Sequence, residues 1–230
     1  MLPTEGTDMR VISTSSHPLE GDEQLFSDQE ARERFLDLYL RTAGHPYADN
    51  ADPEARDRIA NTHLETGRHR NPGTAVVRGI DATDPSGIGP AVQIVTDDMA
   101  LLVESVLLTA ARVGAPIEEA LHPVVAALRT ESGTLTDVRP GTEPGTAESW
   151  IHVGLRSDTG STVVAALAES LTAVLADVRR VNADLARMRE LQIQVSEQLD
   201  AQSGQDALSE ELREAADFLR WCEAGNFTVL

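Results

Sequence analysis

The chain has 230 residues, 41% hydrophobic but only 3% aromatic, so its core should be built mainly from aliphatic side chains. The formal net charge of -19 argues against nucleic acids and anionic membranes as partners, and the absence of lysine excludes Schiff-base and P-loop chemistry. The chain has a single cysteine, Cys222, and neither a signal peptide nor an apolar run of 18 residues. We therefore predict a cytoplasmic protein without a membrane span.

The N-terminal part contains a tail and two helices. Residues 1–24 are polar and rich in Pro, Gly and Ser, which predicts a disordered tail. Residues 25–70 form an N-terminal helical segment, whose first helix starts at the capping box of Ser27 and Glu30 and ends at Gly44. A second helix is predicted at 53–66 with Asp52 as N-cap, and its few apolar residues predict that it is mostly exposed.

The hydrophobic period changes after residue 71, where strands begin. The predicted elements run strand, strand, helix, strand, strand, helix, with a Gly/Thr/Pro-rich loop at 132–146 between the last two strands. This order is that of the ferredoxin-like unit with its last strand moved to the front. We therefore predict an α+β fold, a permuted ferredoxin-like, four-stranded antiparallel sheet with helices on one face. The predicted strands are 74–80, 91–95, 117–129 and 148–156, and the first of the two helices is 99–113.

A long helix is predicted over 161–202, because apolar residues recur at steps of three and four. Only its first turns can cover a sheet, so the domain is placed at 71–180, with an extended helix and hairpin at 181–230. The distal part needs a second helix, either the following segment folded back as a hairpin or a coiled coil with another chain. Short connections favour the hairpin. The ending "NFTVL" is typical of a strand that is just beginning, which predicts a fragment of a longer protein.

Two adjacent acids, Asp97 and Asp98, interrupt the stretch "AVQIVTDDMALLVESV" between a strand and a helix. A carboxylate there can cap the helix, and exposed helix N–H groups can also hold a ligand. A catalytic carboxylate pair would need converging, buried partners, which neighbours in sequence do not provide. His122 and His152 lie on strands predicted to be adjacent, but two histidines do not make a metal site. No catalytic residue, metal or cofactor is predicted in this chain.

Four stretches of the sequence resemble a known protein family: "VQIVTDDMALLVESV", "HPVV", "ESWIHV" and "FLRWCEAGNFTVL". In this order, over residues 71–230, they resemble the N-terminal part of the large bacterial NAD-specific glutamate dehydrogenases. The resemblance implies an ACT-type, ferredoxin-like domain that precedes further ACT-like domains and a distant catalytic domain that binds NAD. The parent enzyme would deaminate L-glutamate oxidatively to 2-oxoglutarate, while this chain would not itself be catalytic.

The resemblance also implies an amino-acid effector position at the first strand-to-helix loop, here Thr96, Asp97, Asp98 and Met99. ACT effector loops typically carry a glycine there, and its absence beside two acids favours helix capping over ligand binding. The expected role is regulation or assembly of the parent enzyme. The remaining domains and subunits would be partners, together with an amino-acid effector.

Three other roles remain open. The chain could be a free-standing ACT-like amino-acid sensor or a purely structural dimerisation module that uses the long helix. It could also be a hydrolase, which requires Asp97, Asp98 and His122 to converge in one cleft.

Overall fold

The computed structural model describes residues 29–42, 52–202 and 207–227. The predicted tail at 1–24, the cap at Ser27, the stop at Gly44 and the last three residues of the predicted terminal strand at 226–230 lie outside these residues. Helix α1 spans Gln29–Thr42 and helix α2 spans Pro53–Gly67. Asp52 caps α2 as predicted, because its side chain accepts a hydrogen bond from the Glu54 N–H at 3.2 Å.

The remaining elements alternate between sheet and helix. The further helices are α3, Leu102–Val113, α4, Ser161–Gln202, and α5, Ala207–Trp221, which continues into a wider turn at Cys222–Asn226. The strands are β1, Val76–Ile80; β2, Ala91–Asp97; β3, Ile117–Leu121; β4, Val124–Arg129; β5, Leu135–Pro140; and β6, Thr146–Leu155.

All strand pairs of the sheet are antiparallel, in the order β1-β2-β6-β4-β5, with β3 also pairing with β6. β1 forms a hairpin with β2 and occupies the edge beside it, as the permuted ferredoxin-like order predicted. The α+β, ferredoxin-like fold class is therefore confirmed.

The sheet has six strands where four were predicted. The predicted strand 117–129 is broken at His122 and Pro123, and its two halves, β3 and β4, pair with successive parts of β6. Proline has no N–H to contribute to a strand ladder, which explains the break. The predicted loop at 132–146 contains β5, an edge strand that buries only Leu135 and Val138 and so carries little apolar signal.

Helices cover both faces of the sheet. α3 and α4 pack on one face against Val92, Ile94 and Ile151, as predicted for the two helices of the ferredoxin-like unit. α1 and α2 pack on the opposite face around the fully buried Trp150. The predicted exposure of the second helix is therefore wrong, because α2 buries polar and small residues that a hydrophobic pattern does not count, such as His63 and Gly67.

α4 has the predicted bounds and consists of two different parts. Its first turns are buried against the sheet through Val164, Leu167, Leu171, Leu175 and Val178. By length and hydropathy alone α4 could cross a membrane, but these buried side chains assign it to the core of the domain. The rest of α4 packs with α5 of the same chain, as the predicted hairpin requires.

Candidate functional site at the end of strand β2

The turn that joins β2 to α3, residues 98–101, has an unusual backbone. α3 begins at Leu102, and Leu101 before it has φ 70° in the left-handed region, without a side-chain hydrogen bond to cap the helix. A left-handed conformation is strained for a bulky residue and persists only where its surroundings require it. The prediction that Asp97 or Asp98 caps this helix is wrong, because the helix starts later and both acids have other partners.

Asp97 lies between two arginines that come from distant parts of the chain. Arg70, which follows α2, donates to its Oδ1 at 2.7 Å, and Arg179 of α4 donates to its Oδ2. Arg179 also donates to Thr96 Oγ1 at 2.8 Å. Burial raises the pKa of Asp97, but the hydrogen bonds from Arg179 and Arg70 outweigh it and hold the pKa below its usual value. Asp97 is therefore an ionised bridge between the sheet and α4.

Arg70 also bonds a second carboxylate, that of Glu148, which is fully buried on β6. Arg129 holds this carboxylate with two hydrogen bonds, Nε to Oε1 at 2.7 Å and a terminal nitrogen to Oε2 at 2.9 Å. Arg70 donates to Oε1 from both Nε, at 3.1 Å, and a terminal nitrogen, at 2.7 Å. We call these five residues, Arg70, Asp97, Arg129, Glu148 and Arg179, the arginine–carboxylate network; its three guanidinium groups face two carboxylates.

Asp98 has a different environment, although it is next in sequence. Its Oδ1 accepts the hydroxyl proton of Ser149 at 2.6 Å, and His122 Nε2 lies 2.9 Å from the same Ser149 Oγ. Since the hydroxyl proton is donated to Asp98, His122 must donate its own N–H to Ser149. Burial lowers the pKa of His122, and the neighbouring acids Asp98 and Glu104 oppose that shift.

This geometry does not suit the hydrolase hypothesis. Asp98 and His122 meet at Ser149, but Asp97 is directed to Arg70 and Arg179 instead. A nucleophilic serine needs a base that accepts its proton and an exposed oxygen. Ser149 is fully buried and gives its proton to a carboxylate.

All four residues predicted as effector-binding lie together at this turn, but protein groups already occupy them. Thr96 is fully buried and bonded to Arg179, and Met99 packs against the core below α3 and α4. Sequence reasoning missed Arg70, Arg129, Glu148, Ser149 and Arg179. The detectable signals were Glu148 at the start of an apolar strand and Arg179 directly after the apolar first half of the long helix.

A second group of buried polar side chains lies farther along β2 and β6, on the same α1 and α2 face of the sheet as Asp97 and Glu148. The Ile94 carbonyl can only accept, so His63 Nε2 donates to it at 3.0 Å, and His63 Nδ1 then accepts from the Tyr39 hydroxyl at 2.8 Å. Burial, assisted by nearby His152, lowers the pKa of His63 to about 3, so the ring is neutral. We call Tyr39, His63, Gln93 and His152 the histidine cluster.

His152 lies across the strand pair from Gln93, whose amide nitrogen is 3.4 Å from its Nδ1. Its Nε2 lies 3.4 Å from a carboxylate oxygen of Glu119. His152 therefore contacts Gln93 and Glu119, whereas His122 contacts Ser149, so the two histidines share none of these neighbours. Within the described residues, no three His, Cys, Asp or Glu side chains are grouped closely enough to hold a metal ion.

Comparisons with known proteins agree with this architecture. The family model described as "Glutamate dehydrogenase, ACT1 domain" matches residues 35–171, from α1 to the sheet-covering part of α4. The chain is also 32% identical over 167 residues to the NAD-specific glutamate dehydrogenase of Mycobacterium tuberculosis (strain ATCC 25618 / H37Rv). The match covers 71% of this chain and 10% of that enzyme, so the chain spans about a tenth of the length of this relative.

Proposed function

Because the chain belongs to the glutamate dehydrogenase ACT1 family, we propose that it is a non-catalytic regulatory and assembly module of a large NAD-dependent glutamate dehydrogenase. The parent would deaminate L-glutamate oxidatively to 2-oxoglutarate in the cytoplasm, with NAD bound in a separate catalytic domain. The module's partners are then the remaining domains and the other subunits of that enzyme.

The observation that carries this proposal is the connection between the β2–α3 turn and α4. Arg179 ties Thr96 and Asp97 to α4 directly after Val178, the last α4 residue buried against the sheet. One turn later, Asn182 donates to the Ala100 carbonyl at 3.1 Å. A change at the turn therefore alters the contacts of α4 where it leaves the sheet. Such a change regulates the parent only if a ligand binds two of its conformations with different affinity.

We place the amino-acid effector of this module at Thr96, Asp97, Asp98 and Met99. An amino acid carries both a carboxylate and an ammonium group, so it can exchange for the bond between Arg179 and Asp97. Its carboxylate would take Arg179, and its ammonium would take the carboxylate of Asp97 or exposed Asp98. Binding by this exchange would release α4 from the turn.

Calorimetric titration of the chain with a panel of amino acids tests the effector site. We expect one or a few amino acids to bind, and Arg179→Gln to weaken that binding at least about tenfold through loss of a charge-assisted hydrogen bond. Arg187→Gln, which removes an exposed arginine farther along α4, is the matched control and should bind normally. Absence of binding by every amino acid would contradict the sensor role and leave the assembly role.

A second candidate function, a structural dimerisation module, is favoured by the surface of α4 and α5. The buried residues of these helices beyond the sheet are small: Ser196, Ser209, Ala216 and Cys222. Large apolar side chains remain exposed, among them Leu191, Ile193, Leu208, Phe218 and Trp221. Phe218 and Trp221 stack on each other with ring centroids 6.0 Å apart, and contiguous exposed apolar surface commonly marks protein contacts. Sedimentation equilibrium would reveal a dimer, and a monomer at high concentration would contradict this function.

A further inference from the structure

An open groove of about 490 Å³ lies between α1, α2 and the connection from β1 to β2. Its volume is in the range of small-molecule sites. Three arginines line it, Arg32 from α1, Arg68 from the end of α2 and Arg78 from β1. We call it the arginine groove. It lies on the α1 and α2 side of the sheet, away from the contacts that α4 makes with the β2–α3 turn.

The arginines of the groove are only partly neutralised. Arg32 donates from Nε to the amide oxygen of Asn61 at 2.8 Å, which carries no charge. Arg68 comes no nearer than 3.8 Å to Glu65, at the long end of an ion pair. Arg78 has the one close carboxylate partner of the three, Asp84 at 3.0 Å. Among the described residues, no carboxylate therefore forms a close ion pair with Arg32 or Arg68, which leaves both guanidinium groups able to meet an incoming anion.

The opposite wall of the groove is a preformed turn. Asp84 accepts the Ser86 N–H at 2.9 Å on one oxygen and Arg78 on the other, and its own carbonyl accepts the Gly87 N–H. Burial raises the pKa of Asp84, but these hydrogen bonds outweigh it and keep the pKa below its usual value. The buried Ser86 hydroxyl also lies against the Asp84 carboxylate and contributes to this lowering of the pKa.

We propose that the arginine groove binds a compact molecule with two oxyanionic groups, carboxylate or phosphate. Guanidinium groups match both kinds of oxyanion with paired hydrogen bonds. The three arginines exceed the two lining acids, Glu65 and Asp84, by one charge, in a chain whose formal net charge is -19. Local excess of positive charge on so acidic a protein favours an anion at this place.

This site is independent of the effector position at Thr96, Asp97, Asp98 and Met99. It uses side chains of α1, α2 and β1, and an anion bound there would join these three elements. The inference goes beyond the proposed function, because it predicts a second small-molecule site, lined by α1, α2 and β1 rather than by the β2–α3 turn. Failure of amino-acid binding at the β2–α3 turn would leave it unaffected.

Calorimetric titration of the full chain with 2-oxoglutarate and with pyrophosphate, at constant ionic strength, tests the site and distinguishes a molecule with two carboxylates from one with two phosphate groups. We expect saturable binding of at least one probe. The double variant Arg32→Gln/Arg68→Gln should weaken that binding at least about tenfold, because it removes two charge-assisted donors. Both arginines are exposed rather than part of the core, so the variant should fold, which circular dichroism can verify.

The matched control is Arg112→Gln/Arg189→Gln, which makes the same change in net charge at exposed positions outside the groove. We expect the control to bind within about twofold of the unmodified chain, since long-range attraction is screened by salt. Equal weakening by both double variants would overturn the site. So would the absence of saturable binding of either probe up to ~10 mM, an affinity too weak for a specific site.

Discussion

Two groups of buried polar side chains lie along β2 and β6 on the α1 and α2 face of the sheet, and they differ in charge. The arginine–carboxylate network opposes each carboxylate with two guanidinium groups, whereas in the histidine cluster burial keeps the His63 imidazole and the Tyr39 phenol uncharged. Burial also raises the pKa of Tyr39 well above its usual value, with Glu119 adding to the effect. Charged groups joined in a network respond most strongly to the loss of one partner, while neutral groups respond most strongly to pH.

The largest effect should come from removing the shared carboxylate of the network. Glu148→Gln leaves buried Arg70 and Arg129 without their common anion, which should lower the free energy of unfolding by about 3–5 kcal/mol. Urea denaturation measures this change. Asp177→Asn, which breaks an ion pair with Arg180 at the surface, is the control and should cost less than about 1 kcal/mol. Similar losses for the two variants would contradict the dependence of the network on its shared buried carboxylate.

The next effect is the acid sensitivity of the histidine cluster. The pKa of His63 is about 3 in the folded chain, against 6.5 for an unperturbed histidine. The unfolded chain therefore takes up the proton first as the pH falls below 6.5, and the stability contributed by neutral His63 is lost between pH 6.5 and pH 3. The loss should reach about 3 kcal/mol at pH 4.

Comparison of the unmodified chain with His63→Gln isolates this contribution, because the carboxylates titrate in both. We expect the variant to be less stable at pH 7 but to lose less stability on acidification to pH 4. Parallel stability curves for the two proteins would show that His63 does not titrate as its burial requires.

A smaller effect should follow from disturbing the contact between α2 and Trp150. A Cβ atom at Gly67 would lie 2.3 Å from the Trp150 ring, so Gly67→Ala should force α2 outward and cost about 1–3 kcal/mol. Gly160→Ala is the matched control, since nothing lies within 4 Å of a Cβ there. Thermal unfolding of the two variants measures the difference, and equal melting temperatures would contradict the close packing of this face.

The smallest change in stability should come from Arg179→Gln. This side chain is 27% exposed, and Asp97 keeps its bond to Arg70 in the variant. Water screens such a pair, so we expect a loss of about 1 kcal/mol or less. Hydrogen exchange should nevertheless become faster in the part of α4 that follows Val178, because that part loses its bond to the turn. Unchanged exchange there would contradict the connection between the turn and α4.

The elements with a regular apolar pattern could be predicted from sequence. The bounds of α4 and the β1–β2 hairpin follow from periodicity, and the permuted sheet order follows from the order of the elements. β5 and the burial of α2 could not be predicted in this way. β5 carries few apolar residues, and α2 packs through His63, Thr66 and Gly67, which signal no amphipathic face.

The position of the candidate site could be predicted, but its chemistry could not. Asp97 and Asp98 lie at the expected strand end, yet they bond Arg179 and Ser149, which are 82 and 51 residues away in sequence. Local rules of helix capping treat two adjacent acids alike. Long-range pairing separates them, because it directs one toward α4 and the other toward β6.

The length of α4 has a mechanical consequence. The helix is 42 residues long, and the 24 residues after Val178 would extend about 36 Å beyond the last side chain buried against the sheet. Arg179 and Asn182 bond the helix to the β2–α3 turn at the start of this projecting segment, which acts as a lever arm. A tilt of about 5° there would move the far end of the arm by about 3 Å, as the geometry of a rigid helix requires. A rearrangement the size of one hydrogen bond could thus become a displacement large enough to repack a subunit contact.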